Sequence, residues 1–333
     1  MKNSFGLSNR VLIQFMNKPG VVLISTLFIV MIMSIISIQI SKKFFISLQR
    51  ESYLEFKHHS QQLLLTTEKQ AIQSLRKEII YFQEKLTRKD PLLSRSYFYS
   101  NDLGTIQVDF QDASNCFNLN GIFKKNGESL DINKHNRQWL ERLLILEGVD
   151  SLDAESFIDQ LIDWVDVDNQ PLNFGAENYF YIGPLSPINQ FTPKRLLVHL
   201  SEITNFPIME KLNFYDLSKN LCVFPGTTTQ LMNINTLNSN QINLVASFFD
   251  EKNLELIESQ ILNIPENGYD GIEKFIGKFS VFQEMPRGIL ATNSKIFTVK
   301  SKIIDKNFSS ELESLVILDI SNSAKVFNRN FKF

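Results

Sequence analysis

A charge-free apolar stretch near the N-terminus constrains this chain more than any other feature. Residues 21–40 read VVLISTLFIVMIMSIISIQI, twenty positions without a charged side chain. A helix needs about twenty apolar residues to cross a bilayer. A secretory signal has a shorter apolar region, about 7 to 15 residues, and ends at a small-residue cleavage site, whereas Lys42 and Lys43 follow here. The sequence therefore predicts a membrane-spanning helix over 21–40, with a buried core helix as the alternative.

The junction in front of this run carries a second signal. Asn17-Lys18-Pro19-Gly20 directly precedes Val21, and a basic residue and a glycine before a long apolar helix resemble the processing site of pilins and pseudopilins. The resemblance implies that a prepilin peptidase cuts after Gly20 on the cytoplasmic side and that the new amine of Val21 is methylated. The alternative is a proline and a glycine that simply break the chain before a signal anchor. The Lys and Arg counts on the two flanks weakly favour a cytoplasmic N-terminus.

The pattern after the apolar run predicts that the same helix continues. No proline occurs between Gly20 and Pro91, and apolar residues recur at three-and-four spacing with charged and amide residues between them. We therefore expect one stem helix, half in the membrane and half packed on a soluble domain.

The rest of the chain contains two kinds of sequence pattern, one typical of strands and one typical of helices. Residues 105–119 begin with the alternation of a half-buried strand, and similar segments return at 295–304, 315–320 and 324–333. Between them lie helical patterns at 135–149, 154–165, 194–203 and 208–218. We predict an α+β fold: a long N-terminal helix packed on an antiparallel sheet, with a large inserted helical domain. The expected divisions are a cleaved leader (1–20), the membrane part of the stem (21–40), its soluble part (41–90), a first β region (91–120), the helical insertion (121–225) and a C-terminal α/β region with the sheet (226–333).

Six short motifs then occur in an order that identifies a family. Together with the N-terminus they resemble the protein K minor pseudopilins of the type II secretion system. The last hundred residues resemble this family only in their general sequence pattern. The motifs are DASNCFNLN (112–120), LIDWVDVDNQP (161–171), GAEN (175–178), HLSEI (199–203), the cysteine of LCVFP (221–225) and MNINT (232–236).

This resemblance implies an assembly protein rather than an enzyme. It would sit in the bacterial inner membrane with its bulk in the periplasm. There it would join other minor pseudopilins, the major pseudopilin and the inner-membrane secretion platform at the tip of a pseudopilus needed for protein secretion. A minor subunit of a type IV pilus and a signal-anchored periplasmic enzyme are the alternatives. The formal charge of −2 offers no basic field for nucleic acid, and the sequence contains no H-E-x-x-H, G-x-S-x-G, C-x-x-C or P-loop motif.

An acidic segment after one predicted helix is the best candidate for a ligand site. Asp166, Asp168 and Glu177 have the spacing of positions 1, 3 and 12 of a calcium loop. Pro171 stands at the sixth position, where an EF-hand has glycine, so that fold is not predicted. Asp163, one turn earlier, is a weaker candidate. The family resemblance implies Ca²⁺ bound in the helical domain, and an acidic solvated loop is the alternative.

Three further residues carry expectations. Cys116 and Cys222 are the only cysteines, and in an oxidising compartment an even count permits a structural disulfide, with two buried free thiols as the alternative. Ser25 is the fifth residue after the expected cut, where most pseudopilins have a glutamate that pairs with a neighbour's N-terminal amine. A neutral residue there suits a first subunit, with nothing above it in the fibre.

Overall fold

The structure, a computed structural model, covers most of the chain in two compact units. The boundary between the units falls after His59, and each unit is described by itself. The described residues are 19–81, 85–101, 104–127, 129–184, 189–249, 254–278, 287–305, 308–319 and 323–333.

The chain forms nine described helices and eleven described strands. The helices are α1 (Pro19–Tyr81), α2 (Pro91–Ser94), α3 (Lys134–Leu146), α4 (Ser151–Val165), α5 (Asn178–Tyr181), α6 (Phe214–Leu217), α7 (Ile242–Ala246), α8 (Leu254–Leu262) and α9 (Ile272–Lys278). The strands are β1 (Tyr97–Asn101), β2 (Gly104–Asp112), β3 (Phe117–Asn118), β4 (Phe123–Asn126), β5 (Ser129–Ile132), β6 (Leu221–Cys222), β7 (Met232–Asn233), β8 (Leu290–Ala291), β9 (Ile296–Asp305), β10 (Phe308–Leu318) and β11 (Ala324–Lys332). Short 3-10 helices occupy Leu119–Ile122, Leu200–Asn205, Pro207–Glu210, Ser239–Gln241 and Arg287–Ile289.

The first unit contains the apolar part of α1. Side chains from Val21 to Ile40 are exposed throughout, which is what a helix surrounded by lipid requires. Among the described residues, one helix is long and apolar enough to cross a membrane, and it is this one. The predicted span lies wholly within it.

In the second unit, the remainder of α1 packs against the main sheet. Leu64, Ala71 and Leu75 are fully buried at spacings of seven and four, so they share one helix face. Glu68 lies on the same face, where Arg329 of β11 donates two hydrogen bonds from Nε to its carboxylate, at 3.0 and 2.9 Å. Ser314 of β10 also donates a hydrogen bond to Glu68. The helix therefore packs on the sheet through an apolar stripe and through an ion pair between the buried Glu68 and the exposed Arg329.

The helix ends earlier than the sequence predicted. The soluble stem was expected to run to residue 90, but α1 stops at Tyr81. The amide of Leu86 donates to the carbonyl of Thr292 at 2.9 Å, and the Leu86 carbonyl accepts from the Asn233 side chain at 3.0 Å. These bonds draw the chain away from helical geometry towards segments far away in sequence.

The main sheet has the order β1-β2-β9-β10-β11 in the described part of the chain, and every neighbouring pair is antiparallel. Its register pairs Phe110 of β2 with Val299 of β9, and a bulge interrupts the β10–β11 pairing between Leu315 and Val316. The predicted strands at 105–112 and 295–333 thus form one sheet. Because β2 pairs with β9, the chain between these two strands leaves the sheet after β2 and returns to it at the neighbouring strand.

That excursion forms a block with one hydrophobic core, and the block is larger than expected. The core runs from Phe117 to Leu290, whereas the helical insertion was predicted to end at residue 225 and the C-terminal α/β region to begin at 226. Amphipathic α8 explains the difference, because it buries Ile257 and Ile261 in the same core.

Two predicted helices are wrong in detail. Residues 194–203 form irregular chain followed by a 3-10 turn, and 208–218 contain one 3-10 turn and a single turn of α-helix. Asn120 binds the backbone of Leu197 through its side-chain amide and so occupies groups that a helix would need. The 135–149 and 154–165 patterns correspond to α3 and α4.

Candidate metal centre

The acidic site is built around the C-terminal end of α4. Asp150 caps the start of this helix, where its Oδ1 accepts from the amide of Leu152 at 2.9 Å. Nine consecutive residues of the helix, from Phe157 to Val165, are buried, and so is Ala154 before them. Asp163 lies in the last turn and Asp166 is the C-cap. A loop then leads to Glu177, which caps α5.

Three carboxylates from these elements converge. Asp163, Asp166 and Glu177 each place a carboxylate oxygen within 4.8 Å of the others. Asp163 and Glu177 are fully buried, and Asp166 is half-buried. Carboxylates this close repel one another strongly when water is excluded, and the C-terminal end of a helix adds a negative potential of its own. The protein alone therefore builds an unfavourable arrangement of charge.

A glycine makes the tight approach to Asp163 possible. The Leu172 amide donates to both oxygens of Asp163, at 3.3 and 3.2 Å. A Cβ on Gly175 would overlap the Asp163 carboxylate, so only glycine fits at this position of the GAEN motif. The loop residues 167–174 are exposed, but the loop closes over the buried Asp163 carboxylate.

Two carboxylate oxygens in the cluster lack partners. Within the described residues, Oδ1 of Asp166 and Oε1 of Glu177 are buried without a hydrogen bond, and so is the hydroxyl of Tyr181. Buried polar atoms in native proteins are nearly always satisfied, and leaving one unpaired costs about 1 to 3 kcal/mol. These unpaired oxygens are where an additional positive ligand would be accommodated.

The pKa values reflect the same conflict. Burial, together with the charges of Asp168, Glu177 and Asp163, raises the pKa of Asp166 to about 7. Burial also raises the pKa of Asp163 to about 6 against the opposing hydrogen bond from Leu172. The pKa of Glu177 is raised by burial as well. Each carboxylate is therefore harder to ionise than in water unless a cation is present.

The structure differs from the expected ligand set at Asp168. Its Oδ1 accepts from the amide of Gln170 at 2.8 Å, and the side chain is exposed, so it lies outside the cluster of three. Asp163, expected to be the weaker candidate, lies inside it. The reason is that α4 continues to Val165, and residues three apart on a helix share a face, which brings Asp163 and Asp166 together.

The donor set fits a hard divalent cation. Three carboxylates with two unpaired oxygens are the kind of ligands that Ca²⁺ and Mg²⁺ take, and neither sulfur nor imidazole is among them. The sequence indicated Asp166 and Glu177, and Asp163 as a weaker candidate. Gly175 was singled out only as part of the GAEN motif, and its close approach to Asp163 was not predicted.

The asparagines of the DASNCFNLN and MNINT motifs lie outside the metal centre and bind backbone groups. Asn118 and Asn120 of DASNCFNLN are fully buried, and each uses its side-chain amide to bind backbone. Asn118 donates to the carbonyls of Thr227 and Thr229, at 3.2 and 3.1 Å, and accepts from the amide of Phe224 at 3.0 Å.

Asn233 and Asn235 of MNINT behave in the same way. Asn235 donates to the carbonyls of Tyr269 and Thr292, at 3.0 and 3.2 Å, and accepts from the Tyr269 amide at 2.7 Å. Asn233 donates to the Leu86 carbonyl and accepts from the Asn235 amide at 3.0 Å. We call these four asparagines, Asn118, Asn120, Asn233 and Asn235, the root network, because they fasten the block where it leaves the sheet.

The two cysteines lie at the same place. Cys116 and Cys222 form a disulfide with their Cα atoms 5.8 Å apart. It links the residue directly before β3 to the last residue of β6, which is the register partner of Asn118 in the parallel β3–β6 pair. The disulfide and the root network therefore hold the same crossing of the chain.

The N-terminal candidates lie on α1. Gly20, Val21 and Ser25 are all exposed on this helix. A Cβ added at Gly20 would meet nothing within 4 Å. The hydroxyl of Ser25 donates to the carbonyl of Val22 at 2.9 Å, so it is satisfied within its own helix.

An apolar N-terminal helix that continues onto an antiparallel sheet is the architecture of pilin-like proteins. Residues 115–226 match the family described as Type II secretion system (T2SS), protein K. The type II secretion system protein K of Klebsiella pneumoniae is 30% identical over 224 residues, 66% of this chain and 67% of the relative. The chain belongs to this family and is a minor pseudopilin of the type II secretion system, which confirms the expectation from the motifs.

Two further comparisons extend over more of the chain. A candidate protein K of Escherichia coli (strain K12) is 24% identical over 324 residues, 94% of this chain and 98% of the relative. The crystal structure of the GspK-GspI-GspJ complex from the type II secretion system of enterotoxigenic E. coli contains a chain with a TM-score of 0.69 and 20% identity. The match covers 86% of this chain and 99% of that one. The predicted α+β fold is thereby confirmed. These relatives are components of a secretion machine, and none is described as an enzyme.

Proposed function

We propose that this minor pseudopilin is the tip subunit that starts or caps a periplasmic pseudopilus. The observation that carries the proposal is the helical block, one continuous core over residues 117–290 inserted between β2 and β9. A block of that size in every subunit would obstruct stacking along a fibre. At the end of a fibre it has room.

Ser25 supports the same place in the assembly. A charge within lipid is costly unless it is paired, so a glutamate at this position would direct docking beneath an earlier subunit. Ser25 is neutral, and its hydroxyl bonds to the Val22 carbonyl at 2.9 Å. It has no such partner to seek, which suits a subunit with none above it.

The proposed partners are other minor pseudopilins. The similar structure is a complex of GspK with GspI and GspJ, and we propose a heteromeric tip complex of that kind for this chain. The major pseudopilin would follow beneath the tip, and the inner-membrane secretion platform would support assembly.

The test of the tip position uses labelled full-length chains in secreting cells. We expect the label at one end of isolated pseudopili, at about one copy per fibre, and other minor subunits to co-purify with the chain. Labels at intervals along the fibre would contradict the proposal. A Ser25→Glu variant should leave secretion unchanged or impair it. Secretion that depends on a glutamate at this position would also count against a tip position.

We also propose that the chain is anchored by a single span with a cytoplasmic N-terminus and is cut between Gly20 and Val21. Because a Cβ at Gly20 meets nothing within 4 Å, Gly20→Leu should fold normally yet remain uncut by the prepilin peptidase. Gly271→Leu, at another glycine with open space around it, is the matched control and should be cut. Intact mass and N-terminal sequencing give the result. A normally processed Gly20→Leu chain would refute this processing site.

Finally, we propose that the candidate metal centre binds Ca²⁺ through Asp163, Asp166 and Glu177. The ion would supply the positive charge that the two unpaired oxygens lack and would cross-link the end of α4 to the start of α5. Calorimetric titration of the full-length chain in detergent should show calcium binding that Glu177→Gln weakens strongly. Equal binding by this variant would remove Glu177 from the ligand set.

A further inference from the structure

A lysine beside the metal centre has an unusual backbone conformation. Lys194 has φ +49°, in the left-handed region that costs a non-glycine residue roughly 1 kcal/mol. Such strain persists only where the surroundings hold the residue in place, and it concentrates at functional positions. The surroundings of Lys194 therefore require an explanation.

The ammonium group of Lys194 is enclosed by oxygens of the metal loop. Its Nζ donates to the carbonyl of Val167 at 3.2 Å, to the carbonyl of Asp168, and to Oδ1 of Asn169 at 2.7 Å. Three consecutive residues thus direct one oxygen each at a single point. An ammonium has three N–H donors, and all three are used.

The oxygen cage is fixed from both sides. The Asn178 side chain donates to Oδ1 of Asn169 at 2.9 Å, and its own oxygen accepts from the amide and the hydroxyl of Thr192, at 2.8 and 2.9 Å. Asn178 directly follows the cluster member Glu177, and Thr192 lies two residues before Lys194. The cage therefore belongs to the same framework as the three carboxylates.

Backbone carbonyls and a side-chain amide oxygen are also the ligands that a hard divalent cation takes. We propose that Lys194 is a resident cation, that is, a positive charge supplied by the chain itself. Its ammonium occupies the oxygen cage of residues 167–169 in place of a second divalent ion. The centre then takes one divalent ion per chain, at Asp163, Asp166 and Glu177. This inference rests on the proposed calcium site for the ion count, but the oxygen cage around Lys194 stands independently of it.

The test measures the number of calcium ions bound per full-length chain in detergent, by equilibrium dialysis with radioactive calcium. The variant is Lys194→Gly, which empties the cage and also tolerates a φ of +49°, so that strain is relieved rather than added. Asn189→Gly is the matched control, because Asn189 is an exposed residue of the same segment with φ +47°. We expect one ion in the parent chain and in Asn189→Gly, and two in Lys194→Gly.

Two ions in the parent chain, or no gain in Lys194→Gly, would overturn the inference. The double variant Lys194→Gly with Glu177→Gln separates it from the calcium proposal. If the parent chain binds no calcium, the proposed carboxylate site fails. A gain of one ion in Lys194→Gly, with and without Glu177→Gln, would then still support the resident cation.

Discussion

Two buried polar regions of the helical block solve the same problem in opposite ways. In the root network, asparagines such as Asn118 and Asn235 use both the donor and the acceptor of each amide on irregular backbone. In the metal centre, Asp166 and Glu177 each retain a buried oxygen without a partner among the described residues. One region is satisfied by the protein alone, and the other is not.

The difference follows from the chemistry of the side chains. A carboxamide donates and accepts, so it can pair with either group of a peptide bond. A carboxylate only accepts, and several together repel one another. Buried asparagines therefore indicate structure, whereas buried, clustered acids with unpaired oxygens indicate a site completed by a cation.

The largest expected effect is at the root. Replacing Cys116 and Cys222 together by serine opens a loop of 106 residues, which the chain-entropy relation values at about 4 to 5 kcal/mol. Denaturant unfolding of the full-length chain in detergent should show a loss of this size, while the stabilisation by calcium persists. A loss below about 1 kcal/mol would mean that the disulfide does not constrain the root.

A single root amide should matter almost as much. Asn118→Ala leaves the Phe224 amide and the carbonyls of Thr227 and Thr229 without this partner, and we expect a loss of about 3 kcal/mol. Asn240→Ala, at an exposed asparagine, should change the free energy of unfolding by less than about 0.5 kcal/mol. Equal effects of the two variants would erase the distinction between the root network and ordinary surface amides.

The metal centre should respond to pH, and the root should not. Because the folded chain holds its protons on Asp163 and Asp166 up to pKa values of about 6 and 7, it binds more protons than the unfolded chain above the ordinary value of 3.8. Stability without calcium should therefore fall as pH rises from about 4 to 7, by about 2 kcal/mol after screening. Thermal unfolding across this range should show the fall in EDTA and a flatter profile in calcium. Parallel profiles would contradict the account.

Removing one acid of the cluster should stabilise the metal-free chain, whereas most substitutions at buried positions lower the free energy of unfolding. Asp166→Asn relieves repulsion in the metal-free chain, so at pH 8 in EDTA we expect a gain of about 1 kcal/mol. The loss expected from Asn118→Ala has the opposite direction. A destabilised Asp166→Asn chain in EDTA would show that this carboxylate stabilises the fold by itself.

The sequence predicted the features that depend on local periodicity. The membrane span, α3, α4 and the strand character of β2, β9, β10 and β11 follow from apolar spacing alone, whereas β1 was not predicted. The end of α1 and the irregular chain at 194–203 do not, because Asn233 and Asn120 bind those segments from far away in sequence. A helical pattern cannot show that a distant side chain has taken its backbone groups.

The candidate metal centre was likewise predicted only where local spacing indicates its residues. Spacing indicated Asp166 and Glu177, but a calcium-loop template favours Asp168 over Asp163, because it does not include the last turn of α4, where Asp163 lies. Lys194 lies 17 residues beyond Glu177 in the sequence, and no local pattern connects the two.

The most direct test of the central claim, that the clustered acids require a divalent cation, is thermal unfolding of the full-length chain at pH 8 with calcium and with EDTA. Calcium at a hundred times its dissociation constant should stabilise the parent chain by about 2.7 kcal/mol. Asp168→Ala, outside the cluster, should keep this effect, and Asp166→Asn should lose most of it. Equal melting temperatures of the parent chain in calcium and in EDTA would contradict the account.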